Sequence, residues 1–284
     1  MKRFSGLELR KLSINTFAQF LVRLIGSFGT LLATLLIAYF LGYDSVGSFT
    51  KVTAFIASFY LLVDFGMNSV FLKIHFKDID RQMGNLILLR ISISLLLLPL
   101  VFLITSILPQ NELLGTGFSD IERAAIIVYS LTLISFGIYN SLQAYYQHKL
   151  AYRLTIIPSI FSFLTMIGII FYAVQHSNFF LLFTAYIFSG TVYSIFGYLF
   201  IKHTFRLSLT SRSFFKFSKN LLHSSWPLGI VLFFNFMYAR TDIFILSLYQ
   251  QNTDVGIYGI SYRFFDVAIA LPTYLANSTY PLLL

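Results

Sequence analysis

The chain contains no cysteine, which removes disulfide frameworks, cysteine nucleophiles and thiolate metal sites together. Charge is also scarce, at 11% of 284 residues, too little to solubilise a fold that is 57% hydrophobic. The five histidines (His75, His148, His176, His203 and His223) share no metal-ligand spacing, so no zinc site is expected. No phosphate-binding loop, nucleophile elbow or pair of carboxylates at a helix mouth occurs, which leaves neither an ATPase nor a hydrolase, and no cofactor is expected.

What is there is apolar. Mean hydropathy is +0.77, and successive apolar stretches run from about Ile14 to Leu284 with short polar gaps between them. Roughly twenty residues at about 1.5 Å each cross a hydrocarbon core of about 30 Å, and only helices or closed barrels satisfy their own backbone in lipid. Eight transmembrane helices are expected, at about 14–41, 49–72, 86–108, 123–146, 154–174, 179–201, 221–248 and 256–284. The first follows Met1-Lys2-Arg3 with no small-residue cleavage pattern, so it is not read as a signal peptide. The fold class is thus an all-α polytopic integral membrane protein.

The net charge of +9 is distributed, not clustered. Basic residues sit at the N-terminus (Lys2, Arg3, Arg10, Lys11), in the second gap (Lys73, Lys77, Arg81), the fourth (Lys149, Arg153) and the sixth (Lys202, Arg206, Arg212, Lys216, Lys219). The odd gaps hold Lys51 at one edge, then Glu112, Asp120 and Glu122, then the uncharged Gln175–Asn178, then Asp254. This alternation is a topology signal, with the N-terminus and even gaps cytoplasmic, and not a nucleic-acid footprint. The Lys202–Lys219 stretch, interleaved with Phe205, Phe214, Phe215 and Phe217, reads as a cytoplasmic linker or a segment lying on an anionic leaflet.

Two segments 209 residues apart match. Tyr39–Phe49 between helices 1 and 2 and Leu248–Tyr258 between helices 7 and 8 both carry Val-Gly with an aromatic two residues after the glycine. Six helices lie between them, so the copies have one orientation, as in a parallel repeat. The expected organisation is a six-helix lobe (1–201), a basic linker (202–220) and the first two helices of an incomplete second lobe (221–284). The end at Pro281-Leu282-Leu283-Leu284, inside an apolar run, suggests a truncated chain.

Asn15-Thr16 through Arg23-Leu24-Ile25-Gly26, Ala38 with Leu41-Gly42, Val46-Gly47 with Phe49, Asp64-Phe65-Gly66, and Asp242 with Ile245-Leu246 and Val255-Gly256 resemble the polysaccharide biosynthesis flippases, including O-antigen repeat-unit flippases, of the multidrug/oligosaccharidyl-lipid/polysaccharide exporter superfamily. The resemblance implies two six-helix lobes around a cavity and alternating access in the bacterial inner membrane. It implies transfer of an undecaprenyl-pyrophosphate-linked oligosaccharide, coupling to H+ or Na+, and association with polysaccharide polymerase and chain-length machinery. The alternatives are a multidrug or cation antiporter of the same superfamily, and an integral-membrane polymerase or glycosyltransferase, which would need larger loops.

Six ionisable residues fall at membrane depth: Arg23, Asp64, Arg240, Asp242, Arg263 and Asp266. Matched depths pair Arg23 with Asp64, Asp242 with Arg263 and Arg240 with Asp266, while Arg240 and Asp242, two apart, cannot pair with each other. An arginine in the lumen would neutralise a pyrophosphate, and Asp64, Asp242 or Asp266 would serve as ion-coupling sites; equally, all could be ion pairs holding helices together, with Arg23 snorkelling. Arg90, near its expected helix start, reads as snorkelling. Asn235, with Asn68, Asn140 and Gln143, suits either sugar hydroxyls or interhelical hydrogen bonds. Pro158 and Pro227-Leu228-Gly229 read as bends or flexible helix starts, and the tyrosines mainly as lipid contacts and interfacial anchors.

Overall fold

A computed structural model describes residues 6–73, 79–111, 115–205 and 214–283, and side chains over 13–73, 79–80, 82–111, 115–203 and 214–268. The side chains of Lys2, Arg3, Arg10, Lys11, His75, Lys77, Arg81, Glu112, Phe205, Arg206 and Arg212, and the Pro281–Leu284 terminus, lie outside those residues. The chain is helical almost throughout. In order come α1 (Gly6–Asp64), α2 (Met67–Lys73), α3 (Ile79–Ser106), strands β1 (Gln110–Asn111) and β2 (Thr116–Gly117), α4 (Asp120–Ser130), α5 (Thr132–His148), α6 (Ile156–Gln175), α7 (Phe179–Phe205), α8 (Phe214–Tyr249) and α9 (Asn252–Leu283). Six of the described helical stretches are long and apolar enough to cross a membrane.

The first of them, Ser13–Lys73, holds two crossings. Gly42 has φ 81 and ψ 172, a conformation open to glycine, and breaks α1 there. That the chain reverses follows from its packing. Ala18, before the break, and Met67 and Phe71, beyond it, share a buried cluster with Met83, Tyr145, Tyr146, Tyr152, Ile201 and Leu221. Ile37 and Val46, flanking the break, share another with Phe118, Val174 and Leu182. The even gaps thus gather at one end of the molecule, called here the basic end, and the odd gaps at the opposite end.

Local chemistry explains the ends. Ser119 caps α4 in a capping box with Glu122: the Glu122 backbone N–H donates to Ser119 Oγ, and the Ser119 N–H donates to the carboxylate. At the basic end, Tyr145 donates to Asp80 at 2.7 Å and Lys149 pairs with it at 3.0 Å. Burial pushes the Asp80 carboxyl up, but the hydrogen bonds from Tyr145 and Lys149 and the charge of Lys149 outweigh it and hold the carboxyl below its usual value.

Two expectations are corrected. α8 begins at Phe214 and runs through Pro227, so Phe214, Phe215, Lys216, Phe217 and Lys219, expected in the linker, lie on a helix. Pro158 lies at a helix start, in the first turn of α6, where a missing N–H costs nothing. Lys51, counted as a flanking charge, is buried: it pairs with Glu122 at 3.8 Å and donates to the Gly117 carbonyl at 2.7 Å, tying α1 to α4 and the β-hairpin. Lys51→Ala strands both acceptors and is expected to cost about 1–3 kcal/mol. An unfolding midpoint in detergent equal to that of the parent would refute this.

Candidate functional site

The repeat segments pack against each other at the opposite end. A Cβ on Gly47 would overlap the Asn252 carbonyl, and a Cβ on Gly256 would overlap the Tyr43 carbonyl. Residues 43 and 252, and 47 and 256, are each 209 apart, so the two contacts exchange under the repeat, as across a two-fold axis. Thr50 and Gly259, also 209 apart, meet each other. Small residues let the two backbones approach closely, which is how helices associate where lipid supplies no hydrophobic drive. Asn252 adds a hydrogen bond to Ser48 at 2.9 Å.

Beyond this contact lies a cavity of about 430 Å³ between the first seven helices and the last two. One wall is hydroxyl-rich. Thr50, Thr53 and Tyr60 come from α1, Tyr129 from α4, Thr132, Ser135 and Tyr139 from α5, and Tyr186 from α7. Tyr60 is held in place by a 2.5 Å hydrogen bond to Thr132 and by stacking on Phe136 at 4.2 Å between ring centroids. The opposing wall is basic, formed by Arg240 of α8 and by Tyr262 and Arg263 of α9.

The basic wall is a small network. Arg240 pairs with Asp266 at 3.4 Å and lies over the Tyr262 ring at 4.5 Å from its centroid. Arg263 approaches the same Asp266 oxygen at 3.8 Å, so two guanidiniums share one carboxylate. Both arginines are only partly exposed, in a space where water screens weakly.

The depth-based pairings fare unevenly. Arg240 and Asp266 do meet. Asp242 does not take Arg263; Tyr258 donates to one of its oxygens and the Ile243 N–H to the other. Asp64 takes Arg90, at 2.8 Å, where Arg23 was expected, and Arg23 is exposed on the first half of α1 away from the cavity. Arg90 does not snorkel: it is fully buried and also donates to Asn68 and Ser141. Asn235 is exposed on α8 and does not line the cavity. Tyr60, Tyr129 and Tyr186 line it although the tyrosines were read as lipid contacts. For Tyr129 the signal was present in the chain: Tyr129, Thr132, Ser135 and Tyr139 recur at helical spacing, a polar face inside an apolar span.

A family model described as polysaccharide biosynthesis protein matches residues 9–283. A solved structure of a MATE multidrug transporter, DinF-BH in complex with R6G, superposes with a TM-score of 0.61 at 15% identity, over 96% of this chain and 64% of that one. A second, described as protein A, gives 0.57 at 15% identity, over 97% of this chain and 64% of the other. At that identity the likeness shows the fold alone. The chain spans 64% of the length of each of these structures. Comparison with the curated proteins gives no match.

Proposed function

The chain belongs to the polysaccharide biosynthesis protein family, membrane proteins of the exporter kind, and from that premise we propose that it translocates an undecaprenyl-pyrophosphate-linked oligosaccharide across the bacterial inner membrane. The observation that carries this reading is one cavity with two guanidiniums sharing a single carboxylate on one wall and a Thr/Tyr hydroxyl surface on the other. A guanidinium fork matches phosphate oxygens, and hydroxyls with aromatic faces match sugars. A small amphipathic cation, the cargo of an antiporter on this fold, has no use for two guanidinium forks at the cavity wall.

The basic end faces the cytoplasm in this reading, by the positive-inside rule. Coupling to H+ or Na+ is assigned to Asp242. Of the three membrane carboxylates, Asp64 and Asp266 have arginine partners, whereas Asp242 accepts from the Tyr258 hydroxyl and the Ile243 N–H. The glycan is handed on to polymerase and chain-length machinery.

Complementation of a bacterium lacking its own repeat-unit flippase tests the reading. The parent gene should restore surface polysaccharide, and Arg240→Gln or Arg263→Gln should each reduce it by about tenfold or more, the value of a lost charge-assisted hydrogen bond. Variants as active as the parent would remove the cavity from the transport path. Parent-dependent resistance to cationic dyes without polysaccharide would favour the antiporter.

A further inference from the structure

The last two helices meet the others at both ends of the cavity, and the two meeting points are built differently. At the opposite end lies the Gly47–Gly256 seam, between regular helices. At the basic end a Cβ on Gly66 would stand 2.7 Å from Leu228 Cβ, and a Cβ on Gly229 would stand 2.8 Å from the Phe65 ring. Phe65 and Leu228 pack with the buried cluster at that end, and Tyr60 of the cavity wall precedes Phe65 by five residues, about 7 Å along the helix. This second contact therefore lies between the cavity and the basic end.

It stands on a break in the helix. Phe65 has φ 40 and Gly66 has φ 74, and the left-handed region is costly for a residue that carries a side chain. Helical bonding reaches the Phe65 N–H, which donates to the Leu61 carbonyl at 2.7 Å, and resumes at the Val70 N–H, which donates to the Gly66 carbonyl at 3.4 Å. At most the four N–H groups from Gly66 to Ser69 need new acceptors for α1 and α2 to become one helix. Arg90 spans the break, bonded to Asp64 before it at 2.8 Å and to Asn68 after it at 2.9 Å. Those two residues are four apart and share one face of a straight helix, so Arg90 can hold both in either shape.

We propose that the Phe65–Gly66 break is a hinge that gates the cavity at the basic end. Bent, it sets Phe65 on Gly229 and Gly66 on Leu228; straightened about Arg90 as a pivot, it withdraws both and opens the cavity. Left-handed strain at Phe65 favours straightening and the packing on α8 opposes it, the balance that a two-state element requires. This deepens the transport reading by naming a moving part, and its test needs no substrate.

The full chain carrying Ala57→Cys in the cavity wall, in a sequence with no other cysteine, reports access through its rate of reaction with a membrane-impermeant methanethiosulfonate in membrane vesicles of each orientation. Gly66→Ala penalises the bent shape, through its φ of 74 and the overlap with Leu228, and should speed reaction from the basic end about tenfold with no change from the opposite end. Ser69→Pro should do the reverse. Ser69 is exposed and third in α2, the place Pro158 occupies in α6, so the bent shape accepts proline, whereas a straight helix would lose its bond to the Phe65 carbonyl and clash with it. That variant should keep the parent's unfolding midpoint, slow reaction from the basic end to near background, and cancel the effect of Gly66→Ala when combined with it. The hinge is overturned if Gly66→Ala speeds reaction equally from both ends or not at all, or if Ser69→Pro lowers the midpoint or reacts as the parent does. Restored polysaccharide with labelling indifferent to both substitutions would sink the hinge and leave the transport reading standing. Hinge-dependent labelling without restored polysaccharide would support the hinge and sink that cargo.

Discussion

Arg90→Leu is expected to lower stability by about 3–5 kcal/mol, because it removes the fully buried partner of Asp64 and leaves that half-buried carboxylate unpaired at membrane depth. Arg90 carries three interactions at once, to Asp64, Asn68 and Ser141, and so joins α3 to α1, α2 and α5. Asp64 ends α1 immediately before the break at Phe65 and Gly66, both with positive φ. Releasing its anchor should therefore loosen that break, where Gly66 packs on Leu228 and Gly229 on the Phe65 ring. Thermal unfolding in detergent reads the loss. The double substitution Asp64→Leu with Arg90→Leu should recover much of it, since an apolar pair of similar volume leaves no charge unmatched. A single variant as stable as the parent, or a double variant worse than the single, would contradict this account.

The second large effect concerns the contact between the repeat segments. Gly256→Leu places a side chain where the Tyr43 carbonyl lies, an overlap with backbone that no rotamer avoids. The helices must then separate along the Gly47, Thr50, Asn252 and Gly259 seam. Because the native chain has no cysteine, a Ser48→Cys/Asn252→Cys pair reports on that seam alone. A short bifunctional thiol reagent should join the pair nearly completely, and Gly256→Leu should reduce joining to near background. Since the seam closes the cavity at the opposite end, the same variant should also fail to restore polysaccharide. Persistent cross-linking would mean that the approach at Gly256 does not hold the lobes together.

The helical, membrane-spanning character of the chain was legible without coordinates because it follows from one-dimensional facts: run length, scarcity of charge and the obligation of the backbone to satisfy itself in lipid. The matched depth of Arg240 and Asp266 was also legible, since rise per residue converts position into height. Arg90 and Lys51 were misplaced for a shared reason. Helices here extend past their apolar windows, α3 beginning at Ile79 and the second crossing starting directly after Gly42, so both charges lie deeper than their distance from a polar gap suggests. The Val-Gly pairs were visible as a repeat in the residues.

The chemistry of the amino acids, taken in order along the chain, settles what each segment is: a helix, its approximate span and which gaps share an end. It does not settle rotation. Which of several polar residues at one height turns inward depends on how neighbouring helices pack, and that packing brought Arg240, Arg263 and Asp266 together, turned Asp242 to Tyr258, left Asn235 outside, and made one wall from tyrosines of four separate helices.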